Sequence, residues 1–243
     1  MIEETTTIEI EKPKVVFRIL DNSKRSRNSM VLLWLVIGIT MISAVSDYAQ
    51  LLLLQRIEEG VYIEDSVLTL NDVRQSILGI LQVILNITFA IVFLFWFRRA
   101  YENLGRIKVN TAYNSQWTIW GWIVPIMNLF RPIQMMNEIW DRTQEKLKTF
   151  DGQNNIVRDG LLIGSWWTLH IINSFISRFV MKTAFKEDTL EQLIESTKAY
   201  MISDLLIIPE GLLLVFIIYR ISKMETRLAE EVLENGGVVL PRE

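Results

Sequence analysis

Apolar and polar blocks alternate along the chain, and four of the apolar blocks have membrane-crossing length. They run over Met30–Leu54, Ile77–Phe97, Leu161–Met181 and Ser203–Tyr219, within the roughly 17–25 residues that a spanning helix needs. The first is the longest, so it is expected to tilt or project beyond the bilayer. A fifth block, Trp117–Phe130 (WTIWGWIVPIMNLF), is apolar but only 14 residues long. Runs of about 10–14 residues are re-entrant, interfacial or buried rather than spanning. Pro125 lacks a donor and breaks or kinks a helix there, and the backbone groups it frees need partners inside the protein, since lipid offers none. Pro132 then suits the first turn of a helix over 132–149. In that helix Ile133, Met136, Ile139 or Trp140, and Leu147 recur at near-helical spacing, opposite Arg142, Glu145, Lys146 and Lys148. This predicts an amphipathic cytoplasmic surface helix. DGQNN at 151–155 reads as a loop, VVFRIL near the start as a short strand or interfacial patch, and DTLEQLIESTKAY as a small helix outside the membrane.

The chain is therefore expected to be an all-α integral membrane protein. It has four transmembrane helices, a short re-entrant or interfacial segment and an amphipathic cytoplasmic helix. Its parts are a tail at 1–29, a membrane domain at 30–222 with the interfacial element at 117–149, and a C-terminal helix and tail at 223–243. The first apolar block follows a polar tail and carries no small-residue cleavage pattern, so it reads as a retained span rather than a cleaved signal.

Charge orients these segments. Nineteen Lys and Arg fall in the segments assigned inside and five in those assigned outside, with Arg178 within a span. That bias puts both termini in the cytoplasm. The short segment then lies on the cytoplasmic side, where Trp117, Trp120 and Trp122 suit the headgroup level. A net charge of −3 argues against a nucleic-acid partner. The absence of cysteine excludes disulfides and thiolate chemistry.

The run FWFRRAYENLGR, then SQWTIWGWIVPIMNLFRP, then IQMMNEIW resembles a bacterial inner-membrane protein family known only as a domain of unknown function. Arg99, Ala100, Asn103, Leu104, Trp117, Trp122, Pro125, Asn128, Pro132 and Trp140 carry the likeness. It is specific over about residues 90–142 and looser over 30–222. It implies a four-span topology and neither a substrate nor a reaction.

Ionisable residues within spans are costly and mark functional candidates. Glu210, His170 and Asn86 lie near the middle of the fourth, third and second spans, with Asn173 on the His170 face. A polar intramembrane cluster of Asn86, His170, Asn173 and Glu210 is expected. Nearer the outside, Asp47, Arg178 and Asp204 form a second candidate cluster whose charges offset one another. The first cluster reads either as a proton- or cation-exchanging site or as interhelical glue. Glu plus His is too few ligands for a metal, hydrolysis lacks a nucleophile elbow around Ser165 or Ser174, and no cofactor is implied.

At the inner face, Arg98, Arg99, Trp117, Trp120, Trp122, Asn128 and Arg131 are the interfacial, lipid-facing candidates. Arg106 and Lys108 extend their charge. Positive-inside retention or anionic headgroup binding accounts for them, and Asn103 and Asn128 suit a link between the short segment and the second helix. The expected role is a non-enzymatic scaffold or accessory subunit that assembles with itself or with another membrane protein. The alternatives are a small oligomeric ion or proton channel or transporter using Glu210 and His170, and a protein that binds or modifies lipid. Expected partners are membrane lipids, anionic ones included.

Overall fold

Three of the apolar blocks sit within helices that continue well past them. The computed structural model describes residues 18–151, 160–184 and 189–240. Its elements are β1 (Arg18–Leu20), α1 (Ser23–Glu58), α2 (Asp65–Arg106), α3 (Trp117–Ile123), a 3-10 turn (Met127–Leu129), α4 (Arg131–Asp151), α5 (Gly160–Ala184), α6 (Leu190–Glu234) and β2 (Val238–Leu240). The fold is all-α apart from the two short strands, which pair in parallel with Ile19 opposite Val239. Helices α1, α2 and α6 are each long and apolar enough to cross a membrane. A helix the length of α2, 42 residues, extends about 63 Å, twice the ~30 Å of a hydrocarbon core.

The long helices form a row in the order α2, α1, α6, α5, each packed along the next. Small hydroxyl residues let α1 sit close to its neighbours, for Ser26, Ser29, Thr40, Ser43 and Ser46 are all buried. Gly211 on α6 serves the same approach. A Cβ there would lie 2.9 Å from Ile37 Cγ1, which is inside contact distance. Only 6 % of the apolar window of α2 is buried, against 39 % for α1 and 33 % for α6. The apolar side chains of α2, among them Ile80, Ile84, Ile87 and Ile91, therefore face out of the protein.

The hydrophobic core lies where the C-terminal end of α2 and the C-terminal part of α6 meet α4. Phe93, Trp96, Phe97 and Tyr101 of α2 pack there with Met135, Met136, Ile139 and Trp140 of α4 and Ile217, Ile221, Leu228 and Val232 of α6. The amphipathic helix expected over 132–149 is α4, and its apolar face is buried against protein. The residues expected as a separate outer helix, from Leu190 on, are the first turns of α6 and run unbroken into the apolar stretch. Only Asp151 of the expected DGQNN loop is described, as the last residue of α4. VVFRIL ends as strand β1.

Candidate polar site and its tryptophan support

Glu210 follows Pro209 within α6. Proline removes one backbone donor from the helix, so the acidic side chain stands where the helix is already locally weakened. The Glu210 carboxylate meets α5 at two points. His170 Nδ1 lies 2.8 Å from Oε1, and Asn173 Nδ2 donates to Oε2 at 3.3 Å. The Ser203 hydroxyl donates to Asn173 Oδ1 at 2.8 Å and lies 3.4 Å from the Ser177 hydroxyl. His170 and Asn173 share a face because three residues make nearly one helical turn.

The pair opens onto a cleft of about 590 Å³. Its sides are α2 and α5, which do not pack along each other, and α1 and α6 close its back. The side chain of His170 is 30 % exposed and that of Glu210 15 %, so both are reachable from the cleft. Indoles surround the imidazole. Trp167 stacks at 5.0 Å and Trp166 at 6.2 Å, while Trp122 presents an edge at 5.7 Å. A histidine nitrogen against a carboxylate oxygen can hold a proton on either atom. Among the described residues no group of three or more His, Asp or Glu could hold a metal ion.

Three of the four residues expected in this cluster thus meet. Asn86 lines the same cleft, yet its amide donates to the Gln82 carbonyl of its own helix at 2.8 Å. The second expected cluster is Asp47, Arg178 and Asp204. Asp47 accepts from Gln75 at 3.1 Å and Asp204 from Gln82 at 3.4 Å. Arg178 lies within 4.0 Å of no carboxylate among the described residues and lines the cleft beside His170.

The short tryptophan segment supports this site from one end. Val124 takes an extended ψ of 119°, as a residue before proline does, so α3 stops at Ile123 and the chain turns through Pro125. Trp122 projects from α3 between α2 and α5, with its ring 5.6 Å from Phe93, 6.2 Å from Phe97 and 5.7 Å from Trp167. Trp167 Nε1 donates to the Leu129 carbonyl at 2.9 Å, which satisfies one backbone group of the turn. Arg131 folds back under α3. Its guanidinium lies 4.0 Å from the Tyr113 ring centre and 5.3 Å from that of Trp117, and it donates to Gln134 at 3.0 Å. Gly121 makes room for it, because a Cβ there would be 2.8 Å from Arg131 Cγ.

Of the interfacial candidates, Trp120 and Arg98 are exposed, and Arg98 is paired with Glu102 at 2.7 Å. Trp122 and Arg99 turn into the protein, Trp117 is half-buried against Arg131, and Asn128 lines a small pocket beside His170. Asn103 links α2 to the N-terminal strand instead of to the short segment. Its Oδ1 accepts from the Leu20 N–H at 3.1 Å and its Nδ2 donates to the Leu20 carbonyl at 2.9 Å. The side-chain amide thus pairs with β1 as a backbone amide would.

Below it sits a carboxylate that hydropathy gives no reason to single out. Glu225 lies beyond the apolar length of α6, is buried, and accepts from Asn22 Nδ2 at 3.0 Å and Asn103 Nδ2 at 3.4 Å. Burial raises its pKa from 4.5 to about 7, against the lowering effect of the two amide donors. Asp21 adds to the rise and Arg99 opposes it.

Residues 59–223 match the family described as Domain of unknown function (DUF4328). The matched length holds α2 to α5 and most of α6, including His170, Glu210 and the tryptophan segment. No curated protein and no solved structure matches the chain.

Proposed function

The chain belongs to the DUF4328 family, and we propose that it is a non-enzymatic multi-pass protein of a bacterial inner membrane. In this reading it works as a subunit of an assembly and exchanges protons or small cations at His170 and Glu210. The third span is α5, both termini are cytoplasmic, and α3 with the 3-10 turn is the non-spanning element on the inner side. The positive-inside charge distribution supports that orientation.

One observation carries the function: the 2.8 Å contact between His170 Nδ1 and Glu210 Oε1 on the wall of an open cleft. An interhelical bond that serves packing alone has no need of a reachable surface, whereas a proton-exchange pair requires one. The cleft is open between α2 and α5, so a complete path past the pair requires a second subunit or lipid to close that side. The accessory-subunit reading rests on the same opening and on the outward apolar face of α2.

The test is proton and cation flux in proteoliposomes. Wild-type protein is expected to support a flux that H170A and E210Q abolish while the assembled species elutes unchanged. Wild-type flux in both variants would refute the exchange role. Dispersal of the assembly by both would make the network structural.

A further inference from the structure

The arginines at the mouth of the tryptophan segment are engaged: Arg98 with Glu102, Arg131 with two rings and Gln134. Cations without carboxylate partners stand elsewhere on the inner face. A groove of about 670 Å³ runs between the start of α1 and the inner part of α6. Ser26 and Ser222 hold the helices together there, their hydroxyls 2.8 Å apart. Because those side chains are small and their neighbours long, the contact leaves a trough. Arg27, Lys223 and Arg227 line it with Tyr219, Ser23 and one carboxylate, Glu230. Neither Arg27 nor Lys223 lies within 4.0 Å of a carboxylate among the described residues. Other exposed cations do pair, as Arg142 with Glu145 and Lys198 with Glu195.

We propose that this groove binds a phosphate group, carried by an anionic phospholipid headgroup or by a phosphorylated solute. Arg27 and Lys223 stand against one carboxylate, Glu230, and leave the trough with an excess of positive charge. Its depth in the membrane suits a headgroup. Arg27 stands three residues before Met30, where the first apolar block begins, and Lys223 four after Tyr219, where the last one ends. Tyr219 is 50 % exposed and offers an apolar ring with a hydroxyl at its tip, a combination suited to the interface. The tendency of cations to stay inside explains their number. It does not explain why three from two helices line one concavity with hydroxyls. Guanidinium and ammonium groups donate to phosphate oxygens through charge-assisted bonds, and the Ser23 and Tyr219 hydroxyls are further donors.

The experiment uses the full-length protein in detergent, with bound lipid counted by native mass spectrometry. Phosphatidylglycerol and phosphatidylcholine are the probes. Wild-type protein is expected to retain phosphatidylglycerol preferentially. At about five-fold per basic side chain near an anionic surface, R27Q/K223Q is expected to lose roughly 25-fold in affinity, while R27K/K223R keeps it. R98Q/R106Q alters the same net charge outside the groove and is expected to bind as wild type. Helicity and elution volume check folding, and single K223Q replaces the double variant if that one misfolds.

Inorganic phosphate separates the two sources. Competition that reduces lipid retention by wild-type protein but leaves R27Q/K223Q unaffected assigns the groove to a phosphorylated solute. Retention unaffected by phosphate assigns it to the lipid headgroup. Wild-type affinity in R27Q/K223Q, or an equal loss in R98Q/R106Q, would overturn the proposal.

Discussion

Replacing Glu225 by Gln should stabilise the protein at alkaline pH and do little at acid pH. The folded-state pKa of Glu225, about 7, lies above its ordinary 4.5, so the folded protein holds this proton more tightly than the unfolded chain. For a carboxyl raised in this way, its contribution to stability is fully present below about pH 4.5. It is lost as pH rises through about 7. A rise of that size corresponds to about 3 kcal/mol at 1.36 kcal/mol per pKa unit. A glutamine cannot ionise and escapes the loss. Its amide needs an acceptor, and Asn22 Oδ1 is buried beside it with no hydrogen-bond partner.

The opposing term is Arg99, also buried, whose Nε and Nη1 have no hydrogen-bond partner. Removing the carboxylate removes a negative charge that interacts with Arg99. Among the causes of the Glu225 shift, Arg99 is the smallest and desolvation the largest, so the balance favours the neutral side chain. The assay is SDS-induced unfolding in mixed micelles from pH 4.5 to 8.5, followed by tryptophan fluorescence on wild type and E225Q. The gap between them should open with pH to about 3 kcal/mol by pH 8. A pH-independent gap refutes the desolvation argument. Destabilisation of E225Q at pH 8 by about 3–5 kcal/mol would mean that the charge pair with Arg99 dominates.

Three further outcomes follow from the packing. N103A leaves the Leu20 N–H and carbonyl without their side-chain partner and should cost about 3 kcal/mol in the same unfolding assay; an effect below 0.5 kcal/mol would show that β1 is held by β2 alone. G211A places a methyl against Ile37 and should destabilise by about 1–3 kcal/mol, and I37A should relieve part of that in the double variant. Additive costs would mean that the two residues do not touch. W122A removes the ring that bridges α2 and α5 and should cost about 3 kcal/mol, with W122F recovering most of it. Equal losses in both would argue against aromatic packing as the cause.

Much of the element layout was legible along the chain because hydropathy is a local property. The helices cover all four apolar blocks, and the Trp117–Phe130 segment breaks at Pro125 because proline constrains Val124 and lacks a donor. The fusion of residues 190–200 with the last apolar block was not legible in hydropathy, since a drop in hydropathy marks polar side chains and not the end of a helix. Pairings were less legible still. Helical period places His170 and Asn173 on one face but does not say which neighbour that face meets. Only the row α2, α1, α6, α5 brings them to Glu210 and leaves Asn86 across the cleft, bonded within its own helix.

The chain by itself determined what is apolar, what breaks a helix and which ionisable groups fall within apolar blocks, because each depends on a few neighbouring residues. Tertiary structure decided which of those groups meet. It also made Glu225, one carboxylate among many in a polar tail, a buried and proton-responsive group. The reason is distance along the chain: Asn22 and Asn103, which surround that carboxylate, lie 203 and 122 residues away. Their convergence is a property of helix packing that no local pattern encodes.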